Sequence, residues 1–258
     1  MKNKNKLTFK ILAGIAALTL ISFVLLITNA TVGNPISQRM AGIAIKEYVD
    51  KNYSSLDLEI GKVNYDFKET AYVGMAKSNT SIDTKFGVFY KNGKIQRDDY
   101  TSHVLSMFNT SLRLEDEYSA IAKSIFTKEI GYADNTTMVS SKSESGKSEE
   151  SMDALTLDMK FDKKLFADPQ VIIRLNLEDN SLDIISQIIT LAHKAYVSKN
   201  CIFSRYSLYA QNGDRYYVDV TGVTPADIES GNLRNLLEKA KTNRSGTGMS
   251  VLIVEKTK

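Results

Sequence analysis

The sequence predicts an α+β protein: an N-terminal transmembrane helix followed by two small units, each with helices packed on an antiparallel β-meander. Three observations carry this. One long apolar run stands near the N-terminus, apolar residues switch repeatedly between helical and alternating spacing, and Asn-Gly pairs fall between alternating segments at Asn92-Gly93 and Asn212-Gly213.

The apolar run spans 21 residues, Leu7 to Ile27, interrupted only by Lys10. At about 1.5 Å per residue it covers roughly 31 Å, the thickness of a hydrocarbon core. Lys2, Lys4, Lys6 and Lys10 lie at its N-terminal end, and residues 28 to 38 carry no charge. The positive-inside rule therefore predicts a cytoplasmic stub at 1–6, a signal anchor at 7–28, and the bulk of the chain outside a cell membrane crossed once. A second reading stays open, because Thr28-Asn29-Ala30 fits the small-residue rule for signal peptidase. Cleavage after Ala30 makes the protein secreted.

The remainder divides into units at 31–130 and 131–258. Asn34-Pro35 supplies an N-cap and a first-turn proline, and Ala41, Ala44, Ile45, Tyr48 and Val49 predict a helix over 35–52. Leu58 and Ile60, then Val63, Tyr65 and Phe67, predict one strand that changes phase at Gly61, as at a β-bulge. A weaker strand follows at 71–76. Phe86, Val88 and Tyr90 lead into the Asn92-Gly93 turn and a strand over 95–100. Val104, Leu105 and Phe108 predict a short helix, and Leu114, Tyr118, Ile121, Ala122 and Ile125 a longer one.

In the second unit, Thr136 to Val139 predicts a strand. The serine-rich run 140–151 predicts a loop, either a linker or the tip of a long hairpin. Leu155, Leu157, Met159 and Phe161 alternate as in a strand, as do Val171, Ile173, Leu175 and Leu177. A helix starting near Ser181 carries Ile185, Ile188, Ile189, Ala192 and Tyr196. Tyr206 to Ala210 and Tyr216 to Val220 then flank Asn212-Gly213. Thr224-Pro225-Ala226-Asp227 caps a helix to Ala240, interrupted at Gly231, and Ser250 to Val254 ends the chain as a strand.

A hydrophobic fraction of 43%, with 13 Tyr, 10 Phe and no Trp, predicts packed cores rather than disorder. Setting aside the four N-terminal lysines leaves 29 basic against 30 acidic residues, so the pI near 8.7 is no footprint for nucleic acid. Cys201 is the single cysteine, which excludes an intrachain disulfide and leaves a packed thiol or an intermolecular bridge. His103 and His193 stand in no metal-ligand spacing, and the nucleotide and hydrolase fingerprints are missing. No cofactor, metal or catalytic residue is expected. The one candidate polar cluster is Asp83 with Arg97, Asp98, Asp99 and Tyr100. On a strand Arg97 and Asp99 face one way and Asp98 and Tyr100 the other, so the adjacent aspartates diverge.

The runs Val32-Gly33-Asn34-Pro35-Ile36, Thr80-Ser81-Ile82-Asp83-Thr84 and Tyr90 to Tyr100, continuing to Phe108-Asn109-Thr110, resemble the YfjL-like family of Gram-positive bacterial membrane proteins. The resemblance implies a place in the cell envelope and brings no catalytic residues. Together these readings predict an envelope module without enzymatic activity that binds a protein or peptide partner. The alternative is an extracytoplasmic hydrolase or small-ligand receptor whose site is assembled from scattered residues. The oligomeric state stays open.

Overall fold

A computed structural model describes residues 2–141, 154–166, 168–213, 216–241 and 248–255. The chain divides into two compact units, Met1–Asn109 and Thr110–Lys258.

The first unit opens with helix α1 (Lys2–Val32), whose described side chains, from Phe9 to Ile27, include many large apolar groups open to the surroundings. Among the described residues, however, no helix is long and apolar enough to cross a membrane. That finding overturns the transmembrane helix at 7–28, the signal anchor, and the membrane as a partner.

Gly33 ends α1 with φ +75, where a Cβ would come within 2.8 Å of the Tyr65 ring and the Tyr72 hydroxyl, so only glycine fits the approach. Helix α2 (Pro35–Asn52) starts as the Asn34 cap predicts: the Asn34 side chain accepts from Ser37 N at 2.8 Å. Its Ala41, Ile45 and Val49 pack on Tyr72, Phe86 and Val88 of an antiparallel sheet. In that sheet β3 (Ala71–Ser78), β4 (Lys85–Lys91) and β5 (Lys94–Asp98) form a meander. The strand expected over 58–67 is split into β1 (Leu58–Ile60) and β2 (Asn64–Asp66), both paired to β3. The break falls at Gly61, whose N–H bonds Met75 O. Asn92 (φ 53) and Gly93 (φ 82) take the positive φ values a two-residue turn requires. A short π-helical turn follows at Tyr100–Leu105.

From Thr110 onward α3 (Phe108–Ile130) belongs to the second unit, together with β6 (Asn135–Ser140), β7 (Gln170–Asn176), α4 (Leu182–Ser198), β8 (Arg205–Asn212) and β9 (Tyr216–Val223). Helices α5 (Pro225–Glu229) and α6 (Leu233–Ala240) and strand β10 (Ser250–Glu255) complete it. The strand order is β10-β9-β8-β7-β6, and β7 and β8 run parallel. The expected all-antiparallel meander is corrected here. Helix α4 stands between these strands as a crossover, and a crossover returns the chain parallel where a tight turn would reverse it.

The expected strand through Leu155 and Phe161 is also absent. Asp158 adopts φ +58, Met159 N closes a turn on Thr156 O, and Phe161 packs edge-to-face against Tyr118 with ring centroids 5.6 Å apart. Alternation there marks a surface segment dropping one aromatic into the core. Residues 142–151 of the serine-rich run lie outside the described residues.

The second core gathers Ile185, Ile189, Ala192 and Tyr196 of α4 against Val171, Ile173, Leu208 and Val220, with Tyr118 and Phe126 of α3 beside them. A reciprocal capping box starts α5: Thr224 and Asp227 each accept the other's backbone N–H. Cys201 is fully buried in this core, so the intermolecular disulfide reading is closed.

Candidate functional site

The predicted polar cluster separates into structural parts. Arg97 bonds Asp99 and reaches Glu69 at 3.4 Å, while its guanidinium lies 3.7 Å above the Phe89 ring. Asp98 turns the other way. Its Oδ2 accepts from the hydroxyls of Tyr48 (2.6 Å) and Tyr53 (2.9 Å), and its Oδ1 from Tyr100 N (2.9 Å). Burial, then the Asp98 carboxylate, push both tyrosine pKa values up, so they remain neutral donors. Asp83 is buried in the turn before β4, where its backbone carbonyl accepts from Asn109 Nδ2 at 2.9 Å. Tyr100 packs its ring on Tyr53 and Phe86. A carboxylate with both oxygens already engaged is a strut between α2 and β5 rather than a base.

A cleft of about 360 Å³ in the same unit includes Tyr65, Tyr72 and Lys91 in its lining. Two of its polar groups are spent internally: Tyr72 OH is bonded to the Asn34 backbone and Lys91 Nζ to Thr70 Oγ1. In the second unit His193 is buried, with Nδ1 2.8 Å from Tyr206 OH and Nε2 3.3 Å from Glu229. Those contacts tie α4 to β8 and α5. Sequence spacing carried no sign of them, since the partners lie 13 and 36 residues away.

In the second unit, one face and one edge of the sheet are open. The helices cover the face of Val171, Leu208, Val218 and Val251. On the other face register aligns one row across all five strands: Thr136, Arg174, Tyr209, Asp219 and Leu252. A recess of about 540 Å³ lies over the Thr136, Arg174, Tyr209 and Asp219 part of this row, lined also by Asn176, Gln211 and Tyr217. Arg174 leans toward β6, with Nη1 3.2 Å from Met138 Sδ and the guanidinium 5.2 Å from the Tyr209 ring centroid. Burial raises the Asp219 pKa, and Arg174 offsets this only in part. Among the described residues no hydrogen bond or ion pair engages the Asp219 side chain.

The four sheet edges differ in how they resist pairing. Strands β1 and β2 have only three residues each. Strand β5 carries Lys94, Arg97 and Asp98 and is joined to β4 with a register shift. Helix α3 caps β6, since Ser119 Oγ accepts from Val139 N at 2.8 Å and Glu115 from Ser141 N at 3.0 Å. Short strands, charge, bulges and covering helices are the usual protections of an edge. Strand β10 is six residues long and pairs with β9 in unbroken register. It is uncharged from Ser250 to Val254, Leu252 is 52% exposed, and among the described residues its backbone bonds nothing beyond β9.

Residues 8–99 match the model of the YfjL-like N-terminal domain, and residues 117–238 that of the YfjL-like C-terminal domain. No curated protein and no solved structure matches the chain. With two domain models matched in order over most of its length, the chain belongs to the YfjL-like family.

Proposed function

We propose that the protein is a binding module without enzymatic activity, which takes an extended segment of another protein onto the free edge of β10. The observation that carries this reading is the contrast between β10, six residues long and uncharged from Ser250 to Val254, and the three guarded edges. In strand addition, main-chain hydrogen bonds supply affinity, and alternate side chains of the guest meet the flanking sheet face. Here that face holds Leu252, Tyr217 and Asp219, beside the recess.

The test uses the full chain and an array of eight-residue peptides rich in Thr and Val. Binders are then resynthesised with N-methyl groups on one alternate set of amides or on the other. An added strand turns only one set toward its host. Methylation of that set is expected to abolish binding, and methylation of the other set to leave it intact. Equal tolerance of both sets, or an array without binders, contradicts strand addition.

A further inference from the structure

We infer that Asp219 selects a lysine or arginine on the strand added at β10, at the position beside Leu252. The inference rests on the strand-addition reading and names the feature by which a guest is recognised.

Asp219 and Leu252 are directly paired across β9 and β10, and Tyr209 is paired with Asp219 on the far side, so the three side chains share one face. A guest residue opposite Leu252 continues that row. Its Cα stands two strand spacings from that of Asp219, about 10 Å. A four-carbon lysine stem and an aspartate side chain cover that span between them. The stem would lie along the exposed Leu252 side chain and deliver its charged head into the recess, as long basic side chains do over apolar surface.

The charge balance calls for such a guest. A half-buried carboxylate is costly unless paired, and among the described residues Asp219 has neither an ion pair nor a hydrogen bond. Arg174, the one cation in its row, offsets part of that cost electrostatically but forms no ion pair with Asp219, its guanidinium lying at Met138 Sδ and over the Tyr209 ring. The raised pKa of Asp219 agrees with a carboxylate short of partners. Between Ser250 and Val254 the edge itself offers no charge to compete for the guest.

The experiment scans each position of an array-selected peptide with lysine, arginine, norleucine and glutamate, against the full chain and its Asp219→Asn variant. Norleucine keeps the apolar stem and removes the charge. At one position lysine and arginine are expected to bind about tenfold more tightly than norleucine, with glutamate weakest. In the variant that preference disappears while the norleucine peptide binds as before, which also shows that the variant is folded. Peptides that bind without a basic preference, or a preference that survives Asp219→Asn, overturn the inference and leave strand addition standing. An array without binders overturns both.

Discussion

At the scale of single residues, the first unit is pinned by one carboxylate. Asp98 collects the Tyr48 and Tyr53 hydroxyls and the Tyr100 amide, so three donors from α2, the turn after it and the chain beyond β5 converge on one group. Replacing it with alanine strands those donors in partly buried positions. Asp98→Ala is expected to lower the unfolding free energy by about 1–3 kcal/mol in a urea titration. A loss below about 0.5 kcal/mol, the range of ordinary surface changes, contradicts the strut role. The divergence of Asp98 from Arg97 and Asp99 was legible from strand alternation alone. The identity of its partners was not, because Tyr48 and Tyr53 come from 50 and 45 residues away and nothing local marks them as donors. Asp219 was hidden for a related reason, since one carboxylate on the polar side of an alternating strand looks like any solvated residue.

At the scale of elements, turns and caps were the most legible features, because their chemistry is local. Asn34, Thr224 and the Asn92-Gly93 pair place α2, α5 and the β4–β5 turn where their residue types demand. The segment at 155–161 misled because alternation reports burial at every second residue but cannot supply a neighbouring strand. The parallel pairing of β7 and β8 was equally invisible, since it follows from where α4 delivers the chain. One element contact is tight enough to test. Gly222 at the end of β9 has φ +73, and a Cβ there would lie 2.4 Å from Gly248 O, in the segment that leads into β10. Gly222→Ala is expected to cost about 1–3 kcal/mol, read as a lowered thermal midpoint. A midpoint equal to that of the parent protein contradicts the close approach.

At the scale of the whole molecule, the chain is two α+β units that match the two domains of one family. The apolar N-terminal run is a helix, yet among the described residues it does not reach the length and hydropathy of a membrane span. A function resting on an edge is hard to read from a linear chain, because an edge exists only once strand order is known. β10 lies outside the first and second hairpins and reaches its place only by pairing with β9. Strand addition is therefore tested at β10 itself, by amide hydrogen exchange across the full chain with and without an array-selected peptide. Alternate amides within Ser250–Glu255 are expected to slow by about tenfold or more on peptide binding, while those of the α3-capped β6 do not change. Protection that falls instead on the cleft of about 380 Å³ lined by α4 and α6, with β10 unaltered, would contradict it.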